Sequence, residues 1–209
     1  MLSRIDDIIY PNRCEVIEFS DPQRFVYPIY KNGRTSLTYY PIRPYKIIIN
    51  DQIKRASTID VILRDPLERF ISGVNTFVFN TKKENPALDI DTIFYFTNNY
   101  LFLNRHYAPQ ISWLTNLSRF IDADTKLKFY DMKELDKLTT EKSNPPEDKI
   151  LTSDQIFELS TNIHNEMYLR IDQLLVKLIG RELCFTEILN YIKEQDPIAF
   201  QKLKCIAPD

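Results

Sequence analysis

A run of branched apolar residues at 59–63 (Ile-Asp-Val-Ile-Leu) passes directly into Arg64-Asp65-Pro66 and then into a helical pattern. β-Branched side chains suit a buried strand. Asp65 can cap the helix that follows, Pro66 suits its first position, and Glu68 completes a capping-box arrangement. Leu67, Phe70, Ile71, Val74 and Val78 fall at helical spacing on one face, which is expected to dock on a sheet. Asp65, Arg69 and Ser72 fall on the opposite side, free to meet something polar. Strands alternating with such helices define an α/β fold with a largely parallel central sheet.

The rest of the chain repeats this theme. Residues 25–30 read as a short strand entering a polar turn at 31–34, and a brief helix opens at Thr35, limited by Pro41 and Pro44. Residues 45–49 (Tyr-Lys-Ile-Ile-Ile) have the composition of another buried strand. An aromatic-rich stretch at 91–103 reads as helix. A second helix after Pro109 points Ile111, Leu114, Leu117 and Ile121 inward. Lys126–Tyr130 reads as a strand and 132–138 as a short helix. The polar segment 140–149, with two prolines, reads as a loop. Thr152 and Gln155 form a capping box for a long helix expected to end near Gly180, and the tail from 183 is helical in pattern.

At 209 residues, with 44% hydrophobic and 27% charged side chains, the chain fits one domain spanning 1–209 and not a disordered segment. A net charge of −2 argues against a general binder of nucleic acid or anionic membrane. Neither a secretory h-region nor a membrane-length apolar run occurs, so a soluble, cytoplasmic protein is expected. Cys14, Cys184 and Cys205 give no disulfide framework, and with only His106 and His164 besides there is no zinc-ligand spacing; no metal is expected. The three glycines, Gly33, Gly73 and Gly180, can build neither a Walker loop nor a dinucleotide fingerprint. Any phosphate site must be made another way.

Two constellations supply one. Lys31-Asn32-Gly33-Arg34-Thr35-Ser36-Leu37 sits between a strand and a helix. Backbone N–H groups, a glycine permitting close approach, two hydroxyls and two cations there suit an anion; an ordinary polar turn with helix caps is the equal alternative. Arg64-Asp65-Pro66-Leu67-Glu68-Arg69-Phe70-Ile71-Ser72 starts at a strand's carboxyl end, where open α/β sheets bind ligands. Arg64 and Ser72 can hold a phosphate, whereas an Asp65–Arg69 ion pair on a solvated helix face explains only those two residues.

Together these blocks resemble the 5′-phosphosulfate loop and the 3′-phosphate motif of sulfotransferases that use 3′-phosphoadenosine 5′-phosphosulfate (PAPS). The second is similar to Arg-Asp-Pro-x-x-Arg-x-x-Ser at every defined position. In the first, Arg34 stands where the family has a small hydroxyl residue. Asn104-Arg105-His106-Tyr107-Ala108-Pro109-Gln110 resembles the His-aromatic-x-Pro-Gln signature of the carbohydrate-type branch, and Tyr168…Asp172 its Tyr-x-x-x-Asp pattern. The resemblance covers roughly residues 25–175.

This resemblance implies a P-loop-like, three-layer α/β fold with PAPS as co-substrate. It implies that Lys31, Asn32, Gly33, Arg34, Thr35 and Ser36 surround the 5′-phosphosulfate, with Arg64 and Ser72 on the 3′-phosphate. Lys31 would stabilise charge on the leaving phosphate and His106 would be the general base for a hydroxyl acceptor, with a glycan as the expected class. A histidine just before a helix also serves as a structural hydrogen-bonder, and that reading of His106 stays open. The aromatics at 94–102 are candidates for a stacking surface or for core. A nucleotide kinase is disfavoured by the missing Walker glycines. A degenerate family member that binds nucleotide, or acts as a scaffold, without transferring sulfate is the alternative function.

Overall fold

The computed structural model describes residues 13–87, 89, 91–92, 105–139 and 151–203. The aromatic stretch 94–102 and the loop at 140–149 lie outside the described residues. Strand β1 (Glu15–Ser20) turns through Asp21 and Pro22 into β2 (Gln23–Tyr27), followed by the short helix α1 (Arg34–Tyr39), β3 (Tyr45–Ile49) and a 3₁₀ turn at Asn50–Arg55. Next come β4 (Thr58–Leu63), α2 (Pro66–Glu84), α3 (Gln110–Leu117), β5 (Lys126–Asp131) and a 3₁₀ turn at Met132–Lys137. The chain continues through α4 (Ser153–Thr161), α5 (Ile163–Val176), the two-residue β6 (Glu182–Leu183), α6 (Phe185–Gln195) and α7 (Pro197–Leu203).

Among the described residues, six strands form one open sheet in the order β3-β1-β2-β4-β5-β6. Only β2–β4 and β4–β5 pair in parallel; β1–β2, β1–β3 and β5–β6 are antiparallel. The sheet is therefore mixed, which corrects the expectation of a largely parallel one. The cause is local. A two-residue turn between β1 and β2 can only return the chain antiparallel, whereas the long excursion through α2 and α3 lets β5 join β4 in parallel. β3 is also not the buried strand its composition suggests. It is an edge strand with one neighbour among the described residues, and Ile47 and Ile49 are 46% and 44% exposed.

Side chains alternate between two apolar clusters, as the pleat requires. Val16, Tyr27, Val61, Leu63 and Phe129 enter the larger core with α2, α3 and α5, while Ile17, Val26 and Ile62 enter a smaller one closed by Leu37 of α1 and Leu135. Both sheet faces are thereby covered.

Helix α2 begins as its sequence predicts: Asp65 Oδ1 accepts the N–H of Glu68 at 2.9 Å, with Pro66 in the first turn. Its orientation differs from the expected one. Phe70, Gly73, Val74, Phe77 and Val78 face inward, but Leu67 is 41% exposed and Arg69 only 1% exposed. The turn at 105–109 packs on the side expected to be open: a Cβ on Gly73 would lie 2.2 Å from the carbonyl oxygen of His106. The long helix expected from Thr152 is interrupted at Asn162, whose extended ψ of 131° separates α4 from α5, although the Thr152–Gln155 capping box is present. Asn116 is buried in α3, and its Nδ2 donates to the carbonyl of Arg13. No helix among the described residues is long and apolar enough to cross a membrane.

Candidate functional site

Because β2 and β4 are adjacent and parallel, the segments leaving their carboxyl ends emerge side by side. The turn after β2 carries Lys31 and Gly33, and Arg64 directly follows β4. Arg64 Nη1 donates to the carbonyl of Lys31 at 3.3 Å, so the guanidinium lies against the turn. Both segments line one cavity of about 810 Å³, with Thr35, Ser72, Thr76 and His106 among its walls.

The turn has two left-handed residues, Lys31 at φ 66° and Gly33 at φ 83°. Glycine takes that region without strain, whereas a lysine there costs on the order of 1 kcal/mol. Gly33 is constrained twice, because a Cβ would also come within 2.4 Å of Leu135 Cδ2. Lys31 Nζ donates to the hydroxyl of Thr76, which itself donates to the carbonyl of Ser72 at 3.0 Å. The ammonium is thus aimed across the cavity at α2. Arg64 Nε stands 3.6 Å from the carboxylate of Glu68, which is largely exposed, so water screens that pairing.

Arg34 turns away from Lys31. Its guanidinium pairs with Glu15 at 2.7 Å and sits 4.5 Å above the ring of Tyr30. Burial disfavours the Glu15 charge, but Arg34 and Arg13 together hold its carboxyl below the usual range. Tyr30 also stacks on Trp113 at 5.4 Å, meets His106 edge-on at 5.8 Å and receives the Arg105 guanidinium at 4.7 Å. His106 is held at the cavity wall by this cluster.

Two of the residues expected at the anion do not line the cavity. Ser36 is buried within α1, and the Asn32 side chain points inward, its Nδ2 donating to the carbonyl of Ile62 at 2.7 Å and to Gln110 Oε1 at 2.6 Å. Arg69, expected on an open polar face, is sealed inside, donating from Nε to the carbonyl of Tyr30 at 3.1 Å and from Nη1 to that of Ala108 at 2.6 Å. It is a strut between the two turns that frame the cavity. α1 spans only six residues, so its dipole adds little, and the side-chain cations and hydroxyls dominate the site.

Asp172 closes the polar layer beneath. It accepts the N–H groups of Gln110 at 2.6 Å and Ile111 at 3.0 Å, capping α3 from α5. Burial pushes its carboxyl up to about 6, against the opposing pull of Arg69 and the two N–H groups. The Arg69 guanidinium is lowered by its own burial to about 10, opposed by Asp172, and stays charged near neutrality.

Sequence reasoning missed Thr76 and Tyr30 as cavity residues. The four-residue spacing of Ser72 and Thr76 on one helix face was the available signal for the first; Tyr30 gave none, because its position depends on Trp113, which is distant in sequence.

No family model, curated protein or solved structure matches this chain.

Proposed function

We propose that the chain is a sulfotransferase that moves a sulfuryl group from PAPS to a hydroxyl acceptor, on a fold we read as P-loop-like. One observation carries this reading: Lys31 and Thr35, from the turn and short helix after β2, and Arg64, Ser72 and Thr76, from the residue after β4 and from α2, converge on a single cavity. A ligand with anionic groups at two places suits that layout. The volume of about 810 Å³ falls within the range typical of small-molecule sites, about 300–1,000 Å³.

The donor supplies an activated sulfuryl group on a phosphate leaving group. Lys31 balances the charge that gathers on the bridging oxygen as the S–O bond to phosphate breaks. Arg64 and Ser72 hold the distal 3′-phosphate, fixing the donor for in-line attack. His106 takes the proton of the acceptor hydroxyl while the new O–S bond forms. A glycan is the acceptor class we favour, from the His-Tyr-Ala-Pro-Gln block.

Adenosine 3′,5′-bisphosphate (PAP), the desulfated product, should raise the melting temperature of the protein. Lys31→Ala and Arg64→Ala should each remove most of that rise, and an unchanged rise in both would defeat the assignment. With radiolabelled PAPS, His106→Ala should abolish transfer yet retain nucleotide binding; loss of binding would make His106 structural. Stabilisation by PAP without transfer to any acceptor would give the chain a binding role instead.

A further inference from the structure

Gln110, the first residue of α3, is completely buried at 0% exposure, yet its side chain makes three hydrogen bonds. Oε1 accepts the backbone N–H of Arg64 at 3.1 Å, and Nε2 donates to the carbonyl of Arg64 at 3.0 Å. This paired contact grips Arg64 as a neighbouring strand would. The same Oε1 accepts from Asn32 Nδ2 at 2.6 Å, and Asn32 is tied in turn to Ile62 of β4. One amide therefore joins the turn that presents Lys31 to the residue that presents the second cation. Asp172 holds the backbone of Gln110 from below, so the amide cannot slide along the α3 axis.

Filling this position with an apolar residue of equal length would avoid the cost of burying an amide. The structure instead uses a side chain whose donor and acceptor each find a partner, and hydrogen bonds in a dry interior fix geometry, although Asn32 Oδ1 beside it is buried without one. Neither Gln110 nor Asn32 lines the cavity, so neither reaches a ligand directly.

We propose that Gln110, acting through Asn32 and the Arg64 backbone, is a positioning residue that sets the separation between the two anion-holding segments. It thereby creates the preference for a ligand phosphorylated at both ends over one phosphorylated at a single end. The choice of ligand rests on the donor reading above. A second anchor strengthens binding only when its distance from the first matches the ligand, and misplacement by about 1 Å forfeits most of that gain.

Isothermal titration of PAP, adenosine 5′-monophosphate and adenosine 3′-monophosphate against wild type, Gln110→Met and Asn32→Ala tests this. In Gln110→Met the preference for PAP over either monophosphate should fall about tenfold, while each monophosphate keeps its affinity within about twofold. Asn32→Ala cuts only the arm to the turn and should lower the preference by about threefold; it decides the matter if circular dichroism shows Gln110→Met unfolded. A general loosening of the fold would weaken all three ligands together, and that result overturns the proposal. A wild-type preference retained undiminished in both variants overturns it as well, leaving the donor reading intact. Failure of wild type to bind PAP would bring down the donor reading and this inference with it.

Discussion

Gly33 shows how much of the site hangs on single atoms. It takes a left-handed φ of 83° and leaves 2.4 Å between a would-be Cβ and Leu135 Cδ2, so both backbone and packing demand a hydrogen there. Gly33→Ala should lower folding stability by about 1–2 kcal/mol in urea denaturation. PAP binding should also weaken, because the turn carrying Lys31 must shift. Arg69 makes a related point. An arginine four residues after Asp65 looks like half of a surface ion pair, but its guanidinium is spent on the carbonyls of Tyr30 and Ala108 inside the protein. The residue type was legible; its burial was not, because the covering turn at 105–109 is distant in the chain.

Among the elements, α2 was the most readable and the most misread. Its start follows from local chemistry, since Asp65 accepts the Glu68 N–H and proline fits the first turn. Asp65→Ala should therefore cost about 1 kcal/mol in urea denaturation, and Asp65→Asn should restore most of it. Its rotation does not follow from local chemistry. The helix packs between the sheet and the 105–109 turn, and this second contact draws Gly73 and Arg69 inward while leaving Leu67 exposed. β3 failed in the same sense: Ile47, Ile48 and Ile49 announce a strand, but its edge position decides which of them meets water. Periodicity identifies an element; its neighbours choose the buried face.

At the scale of the molecule, the site is where parallel pairing survives in a mixed sheet, at the carboxyl ends of β2 and β4. Asp172 on α5 and Arg69 on α2 tie the surrounding helices to it. This gives the whole fold a pH dependence. The folded-state carboxyl of Asp172 is raised from 3.8 to about 6, so the native state holds its proton more tightly than the unfolded chain does. The associated stability is complete below the lower value and is lost as pH rises through the upper one. Between pH 4 and 6 the wild type should lose on the order of 2 kcal/mol from this source, and Asp172→Asn should lack that slope in urea titrations at each pH. The carboxyls of Glu15 and Glu18 are pushed the other way by their cationic neighbours, and so contribute a slope of opposite sign. The sequence by itself determined the strand-to-helix units, the α2 cap and the two cation-bearing segments, because these depend on residues within a few positions of one another. Only the tertiary structure decided that the sheet is mixed, that Asn32, Ser36 and Arg69 turn inward, and that Gln110 joins the two segments. Those outcomes depend on which distant surfaces meet, and contacts between residues 30 to 80 positions apart leave no local pattern to read.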